Sequence, residues 1–464
     1  MKRLLSITGG LLGLLALGAL AVALALTFGG LRTDVKPASQ AFQSPIETPT
    51  QPPYPPPATP TPPGPPATPT VAPTPVPRCT FAARPAPAEP GPLLEAYQFS
   101  EPRVVLTHTS AIGIASWLPD GQRLLITRDI PSANRQTIET LNIRTGEIQV
   151  YAQREGANGK PVWLSGPGGV AYSTLAGQHH ELWFSRGDPA RAEQIASSVE
   201  GLSLIADPTG QRLCYFASLV SGQPRLLDVA SRAEQAMSLN VAQWQYPKYP
   251  KPVQSMLTPP AFRIAWHPDG SRLVFYAQPW IFLFDMRSGQ VCEIDLGRSE
   301  PENMPIWALE AKWSPNGRYL ALITTGSFPG QASGTGAPIL YTELTIVDIE
   351  METLQTLQPA PDINGGQHYV TDMSWAPDSR YLAVLGVVRM TETGSEKAGM
   401  FIIDVTRGEF QQVLSEHDFG GGLWGWQLAW APSGSQLAVN CPTPEEGRLC
   451  LITVRRKGAQ EERP

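Results

Sequence analysis

The sequence lacks the short motifs that identify most catalytic and metal-binding sites. It contains no Gly-x-Ser-x-Gly nucleophile elbow, no His-Glu-x-x-His zinc motif, no phosphate-binding loop, no Asp-rich calcium loop and no Cys-x-x-Cys pair. We therefore expect no metal ion, no cofactor and no catalytic residue. The sequence leaves the enzyme question open and favours a non-catalytic protein.

Charge is also scarce. Charged residues make up 16% of the chain, and the formal net charge is −6. The one concentrated basic run, VRRKGAQEERP at the C-terminus, mixes both signs. Because nucleic-acid binding requires a basic patch, we do not expect nucleic acid as a partner.

Cysteines number only five, so at least one is free or paired outside the chain. Cys441 and Cys450 flank the loop PTPEEGRL between two predicted strands, where they could face each other across a hairpin. A disulfide there and two small buried thiols are both compatible with this placement. The sequence identifies no partner for Cys79, Cys214 or Cys292.

Residues 1–36 carry no charge between Leu4 and Gly30. As a helix these 27 residues would span about 40 Å, more than the ~30 Å of a bilayer's hydrocarbon core. We predict an uncleaved single-pass membrane anchor with the rest of the protein outside the cytoplasm. The alternative is a signal peptide cut after Ala25, which would make the protein secreted. No cysteine follows the apolar run, which argues against a lipoprotein anchor.

Residues 37–93 are rich in proline and threonine. Proline fixes φ and has no N–H to donate, so this segment cannot build a helix or a sheet. We predict a disordered linker, either an extended stalk or a chain of no preferred length.

From residue 103 onward one hairpin recurs. Its copies are ASWLPDGQRLLITR (115–128), PVWLSGPGGVAYST (161–174, degraded), IADPTGQRLCYFA (205–217), IAWHPDGSRLVFYA (264–277), AKWSPNGRYLALIT (311–324), MSWAPDSRYLAVLG (373–386) and LAWAPSGSQLAVNC (428–441). In HPDG, Pro268 suits a type I turn, Asp269 can bond the backbone two residues on, and Gly270 suits a left-handed conformation. The strands are apolar on both faces, as in a sheet buried on both sides.

A second hairpin follows each copy, for example FDMRSGQVCEI at 284–294, so each unit has four antiparallel strands. We predict an all-β fold, a seven-bladed β-propeller over residues 94–458 with a disordered tail at 459–464. The last unit lacks its outer strand, and PRVVLTHT (102–109) is a strand without a unit. We therefore expect the N-terminal strand to close the last blade.

The pattern Trp-x-Pro-[Asp/Asn]-Gly, carried for example by Trp117–Leu124 and Trp313–Leu320, resembles the WD40-like repeats of TolB-type propellers. Prolyl oligopeptidase and dipeptidyl peptidase relatives contain the same repeats. The resemblance covers residues 103–455 and implies the fold, not an activity. The α/β domain of TolB and the α/β-hydrolase domain of the peptidases have no counterpart here.

Features that repeat are interpreted as structural. We expect the tryptophans near the turns to pack between blades and the repeated acids to bond the turns that follow them; these are Trp117, Trp163, Trp266, Trp313, Trp375, Trp430 and Asp228, Asp285, Asp348, Asp404.

Segments that do not repeat are the better candidates for a site. They are residues 240–260, 324–341 and 417–427, and the first places Trp244, Tyr246, Lys248 and Tyr249 among prolines. Rigid aromatic insertions suit a surface that binds a protein or a glycan, and they also suit a plug of the channel. We predict a binding or scaffolding module. The alternative is a propeller-type glycan lyase or hydrolase with acids and histidines at the channel mouth.

Overall fold

The computed structural model describes residues 77–84 and 97–456, with gaps at 131–134, 156, 178, 200–203, 217–223, 238–244, 247–248, 253–262, 278–279, 297–307, 333–337, 358–367, 390–395, 418, 420–426 and 444. The predicted anchor (1–36), most of the predicted linker and the predicted tail (459–464) lie outside the described residues. Within the described part, no helix has the length and apolar character needed to cross a membrane.

The strands form seven sheets of four or more strands each. Four short strands precede the repeating units: β1 (Arg78–Cys79), β2 (Ala82–Ala83), β3 (Tyr97–Phe99) and β4 (Arg103–His108). Blade 1 contains β5 (Ile112–Trp117), β6 (Arg123–Ile130), β7 (Arg135–Asn142) and β8 (Ile148–Glu155). Blade 2 contains β9 (Ala157–Leu164), β10 (Gly169–Ala176), β11 (His179–Ser185), a 3-10 turn (Pro189–Arg191) and β12 (Glu193–Val199). Blade 3 contains β13 (Ile205–Ala206), β14 (Arg212–Phe216), β15 (Pro224–Asp228) and β16 (Glu234–Ala236).

A separate two-stranded hairpin, β17 (Gln245–Tyr246) and β18 (Tyr249–Pro252), precedes blade 4. Blade 4 contains β19 (Arg263–Trp266), β20 (Arg272–Ala277), β21 (Trp280–Asp285) and β22 (Val291–Ile294). Blade 5 contains β23 (Ala308–Trp313), β24 (Tyr319–Ala332), β25 (Pro338–Asp348) and β26 (Thr353–Leu357). Blade 6 contains β27 (His368–Trp375), β28 (Tyr381–Arg389), β29 (Glu396–Asp404) and β30 (Glu409–Val413). Blade 7 contains β31 (Leu428–Trp430), β32 (Gln436–Asn440) and β33 (Gly447–Arg456).

The ring closes through the N-terminal strand. β4 pairs antiparallel with β33, with Gly447 opposite His108, and so supplies the outer strand that blade 7 lacks. β3 pairs with the other end of β33, with Tyr97 opposite Arg456. This confirms the predicted seven-bladed all-β propeller and its closing strand.

The turns follow the chemistry expected from their residues. Gly270 has φ +75°, and the Asp269 carboxylate accepts the backbone N–H of Ser271 at 2.7 Å. Ser379 replaces the glycine in blade 6 and takes the same left-handed conformation, with φ +62°. Its hydroxyl accepts the backbone N–H of Asn316 in blade 5 at 2.9 Å, which gives this serine an interblade contact that a glycine could not make.

Trp117, Trp313 and Trp375 pack between blades, as predicted, whereas the indole N–H of Trp430 donates to Gly434 of its own turn at 3.1 Å. The indole N–H of Trp117 donates to the carbonyl of Ala429 at 2.9 Å, that of Trp313 to Ala265 at 3.1 Å and that of Trp375 to Lys312 at 2.9 Å. In each case the acceptor lies on the first strand of the preceding blade. These buried side chains therefore bury apolar area and satisfy a polar group in the same contact.

The first strands of consecutive blades contact one another in sequence around the whole ring and therefore line its centre. Each first strand ends at a repeat turn, and we call the face that carries these turns the turn face. The opposite face, where the first strands begin, is the entry face. Because neighbouring strands alternate in direction, the hairpins that join second to third strands also open on the entry face.

The three non-repeating segments are connected to described strands at ends that lie on the entry face. In sequence, residues 240–260 and 417–427 stand between the outer strand of one blade and the first strand of the next. Within the third segment, the described part of the β24–β25 hairpin of blade 5 is long, and Ser327 still pairs with Leu340.

Residues 78–84, which we call the belt, run along the outer edges of blades 4 and 5. β1 pairs in parallel with β22, and β2 pairs in parallel with β26. A disulfide joins Cys79 to Cys292, and the Arg84 guanidinium donates to the backbone carbonyls of Val405 and Thr406 in blade 6. The belt lies inside the linker predicted over residues 37–93. It forms strands because no proline occurs between residues 77 and 85, so its backbone N–H groups can pair.

Candidate functional site

Polar residues occupy one repeated position on the first strands. The residues three before the repeat tryptophans are Ile114, Lys160, Arg263, Glu310, Asp372 and Gln427. Since the tryptophan lies next to the turn face, this position lies toward the entry face, beside the central channel. Four of the six are charged, although the strands around them are mostly apolar.

Five charged residues form what we call the channel cluster: Lys160 on β9, Arg263 on β19, Glu310 and Lys312 on β23, and Asp372 on β27. The Lys312 ammonium lies 2.8 Å from an Asp372 oxygen and 3.9 Å from a Glu310 oxygen. Arg263 lies 3.4 Å from the other Glu310 oxygen. The contacts cross from blade 4 to blade 5 and from blade 5 to blade 6, so the packing of neighbouring blades assembles them.

Asp372 is fully engaged. Its carboxylate accepts the Lys312 ammonium and the backbone N–H groups of Met373 at 2.8 Å and Leu428 at 2.9 Å, the latter in blade 7. Burial opposes the charge on Lys312, but Asp372 and Glu310 together outweigh it and raise the pKa of Lys312. Lys312 therefore stays protonated and serves as a fixed positive charge.

The Arg263 side chain is contacted by residues of blades 4 and 5 and is partly exposed to solvent. Its guanidinium donates to the carbonyl of Leu309, and Tyr276, its cross-strand neighbour, contacts it from the buried side. Burial raises the pKa of Tyr276, so the phenol remains neutral. The Arg263 side chain is nevertheless 53% exposed, which leaves much of its donor fork available.

Lys160 completes the cluster without an ion-pair partner among the described residues. It keeps solvent-exposed surface, yet partial loss of hydration on the crowded channel wall and the charges of Lys312 and Arg263 lower its pKa. Asp372 and Glu310 act in the opposite sense and do not compensate. Three cations and two carboxylates leave the cluster with a net charge of +1.

Irregularities in the first strands accompany the cluster. The pairing register shifts between Ala308 and Glu310 in blade 5 and between Val370 and Asp372 in blade 6. A bulge turns a side chain away from the regular alternation of a strand, and bulges are common next to functional sites. The same shift occurs between Ile114 and Ser116 in blade 1, so it is a repeated feature of the first strands, and Glu310 and Asp372 occupy it in blades 5 and 6.

The predicted binding surface is only partly described. Tyr246 and Tyr249 pair with each other across the β17–β18 hairpin. Trp244 and Lys248 lie outside the described residues. The binding role of this four-residue surface therefore stays a prediction.

The cysteines form two disulfides. Cys441 and Cys450 are bonded across blade 7, with 5.9 Å between their Cα atoms. Cys79 and Cys292, for which the sequence identified no partner, are bonded with 5.2 Å between their Cα atoms. Cys214 is a buried free thiol whose pKa is raised by burial.

Among the described residues, no group of three or more His, Cys, Asp or Glu side chains is placed to hold a metal ion. His179 and His180 are neighbours on β11, and burial together with His179 lowers the pKa of His180. Neither histidine belongs to the channel cluster.

No family model matches the sequence, and no curated protein matches it. Similar solved structures include an oligogalacturonate lyase in complex with manganese, with TM-score 0.48, 10% identity and coverage of 77% of this chain and 98% of that one. They also include TolB from Acinetobacter baumannii, with TM-score 0.37, 15% identity and coverage of 71% and 80%. The fold is that of a TolB-like β-propeller. Its defining features are the closed ring of four-stranded blades and the repeated Trp-x-Pro-[Asp/Asn]-Gly turn.

One pattern in the sequence points to the channel cluster. A TolB-like propeller fixes its tryptophans at the blade interfaces, so any position at a constant distance from them recurs at one height in the ring. At three residues before the tryptophan, the composition changes from apolar to charged in blades 2, 4, 5 and 6. Lys312, which lies one residue before Trp313, gives no such signal.

Proposed function

We propose that the protein is a binding module held outside the cytoplasm, and that it captures its partner at the channel cluster on the entry face. The observation that carries this proposal is the uneven pairing within the cluster. Lys312 and Asp372 neutralise each other, whereas Lys160 and the exposed part of Arg263 retain unused donors. Lys160 and much of the Arg263 side chain are exposed, so their donors are accessible to a ligand.

The position of the cluster supports the same proposal. The long β24–β25 hairpin opens on the entry face, where it can add contacts around a ligand bound at the centre. The turn face, in contrast, is built from repeated short turns that satisfy their own polar groups, such as Asp269 with Ser271. The described residues of the channel cluster differ from blade to blade and lie toward the entry face.

Localisation outside the cytoplasm is part of the proposal. It is supported by the predicted apolar anchor over residues 1–36 and by the two disulfides, since disulfides persist in oxidising compartments.

Site-specific photo-crosslinking on cells tests this function. Leu175, on the β10–β11 hairpin of the entry face, and Met351, in a turn of the opposite face, are both exposed, at 48% and 63%. A photoreactive amino acid at Leu175 should give partner adducts that are lost when Arg263→Met is added. The same amino acid at Met351 should give none. Equal adducts at both positions, or adducts indifferent to Arg263→Met, would contradict the proposal.

A second candidate function is favoured by the lowered pKa of Lys160. A lysine that loses its proton more readily can act as a general base, and Arg263 could neutralise a neighbouring carboxylate. That pair suits the elimination reaction of a glycan lyase acting on a uronic acid. Incubation with oligogalacturonate, followed by ultraviolet absorbance of an unsaturated product, decides between the two. Product formation that is lost in Lys160→Met would establish the enzyme, whereas absence of product in wild type would favour the binding module.

A further inference from the structure

We propose that the group recognised by the channel cluster is a carboxylate of the ligand, held between Lys160 and Arg263. This inference rests on the proposed function and specifies the ligand's chemistry. The acceptors of the cluster are already occupied, because the Asp372 carboxylate accepts Lys312 and two backbone N–H groups. Glu310 faces Lys312 and Arg263. What the cluster still offers a ligand is donors.

The charge of the cluster selects a singly charged anion. Its net charge is +1, so one carboxylate brings the site to neutrality. A phosphate monoester, with a charge of about −1.5 to −2 at neutral pH, would leave an excess of negative charge beside Glu310. The guanidinium of Arg263 presents a planar fork that matches the two oxygens of a carboxylate.

The geometry limits how the carboxylate can approach. Tyr276 and the carbonyl of Leu309 contact Arg263, while 53% of its side chain stays exposed. Lys160 lies on the first strand of blade 2 and Arg263 on the first strand of blade 4, so a group that contacts both lies between the first strands, at the centre of the ring. The carboxylate is therefore carried by a peptide C-terminus or by an acidic sugar whose end reaches this position.

Ligand-observed NMR with paired probes tests this inference. The probes are acetyl-trialanine with a free C-terminus against its C-terminal amide, and digalacturonate against a neutral disaccharide. We expect binding only of the charged member in each pair, and the pair with the higher affinity identifies the source of the carboxylate. Inorganic phosphate should compete poorly.

Variants localise the binding. Lys160→Met and Arg263→Met should each weaken the charged probe by about 10- to 100-fold, the effect of losing one hydrogen bond to a charged group. Arg191→Met is the matched control, because Arg191 is exposed on the turn face and its removal changes the net charge equally. Arg263→Lys should restore part of the affinity, and thermal melts verify that each variant is folded.

Three outcomes overturn the inference: no charged probe binds, the neutral probes bind equally well, or the two methionine variants bind like Arg191→Met. If these occur while crosslinking at Leu175 still depends on Arg263, the binding module stands and only its carboxylate chemistry is wrong. If crosslinking fails as well, both proposals fail.

Discussion

Lys312 connects blades 5 and 6 through its backbone and through its side chain. Its backbone carbonyl accepts the indole N–H of Trp375, and its ammonium bonds Asp372, so both ties run from blade 5 to blade 6. The neighbouring Lys160 has no such partner among the described residues. Two lysines at the same channel thus have opposite shifts in pKa, one raised by its acids and one lowered by its surroundings.

Opposite effects on stability follow from these shifts. Lys312→Met leaves Asp372 buried without its cation and should lower the free energy of unfolding by about 3 kcal/mol. Because the folded pKa of Lys312 is raised, its stabilisation is present below pH 10.5 and is lost only as pH rises above that value. Denaturant titrations at neutral pH measure the loss, with Lys312→Arg as the charge-preserving control. A Lys312→Met protein as stable as wild type would contradict the assignment.

Lys160→Met should instead leave stability unchanged or increase it. The folded pKa of Lys160 is lowered, so below that pKa its charge is carried at a cost in the native state, and stability rises with pH between the folded pKa and 10.5. Removing the charge removes the cost. The melting temperature at neutral pH measures this, and a decrease would show that Lys160 has a structural partner.

Carboxylate binding at Lys160 should also depend on pH. The bound anion favours the protonated ammonium, so affinity is full where Lys160 is already charged and falls as pH rises through its lowered pKa, which lies below 10.5. The pKa of Lys312 is raised, so its charge does not change in this range. Titration of the charged NMR probe at increasing pH up to 10.5 measures the loss of affinity, and Lys160→Met should remove this pH dependence. An affinity that stays constant up to pH 10.5 would contradict the prediction.

The strands differ in how far the sequence could predict them. The blade hairpins are local, since Pro268, Asp269 and Gly270 lie within one turn, and their pattern repeats. The belt does not repeat, and its strand β1 pairs with a segment 213 residues away, as the Cys79–Cys292 separation shows. No local periodicity reports such a pairing. The channel cluster was missed for a related reason, because its members come from four blades and are brought together only by the packing of the blades around the centre.

The belt disulfide should stabilise the propeller more than the disulfide of blade 7 does. The Cys79–Cys292 bond closes a separation of 213 residues, and the Cys441–Cys450 bond closes one of 9. Chain-entropy arguments assign them about 5 and about 3 kcal/mol. Denaturant unfolding of the double serine variants, Cys79→Ser with Cys292→Ser and Cys441→Ser with Cys450→Ser, compares them. The reverse order would indicate that the belt is detached in the native protein.

The propeller is a closed ring whose two faces differ in how far their sequence repeats from blade to blade. The turn face consists of repeated elements, and the entry face gathers the sequence that differs from blade to blade. Closure depends on residues from the two ends of the described chain, because β4 is the outer strand of blade 7. Because β4 pairs with β33, blade 7 has no terminal position in the ring, and unfolding that begins there must first break this pairing.

Deleting residues 102–109, which contain β4, should therefore abolish cooperative unfolding of the propeller. Without β4, the edge of β33 is exposed, and blade 7 cannot complete its contacts with blade 1. Calorimetry of the deletion variant checks this, with wild type as the reference. A single unchanged melting transition would show that the ring does not need its N-terminal strand.

The belt also determines how the molecule bears a pulling force on its N-terminal side. Tension that arrives at Cys79 passes through a covalent bond into Cys292 and is carried by blade 4. The pairing of β4 with β33 lies further along the chain and is unloaded. Reduction of that one bond reroutes the tension past β2 and Arg84 toward β3 and β4, so the load then acts on the strand that keeps the ring shut.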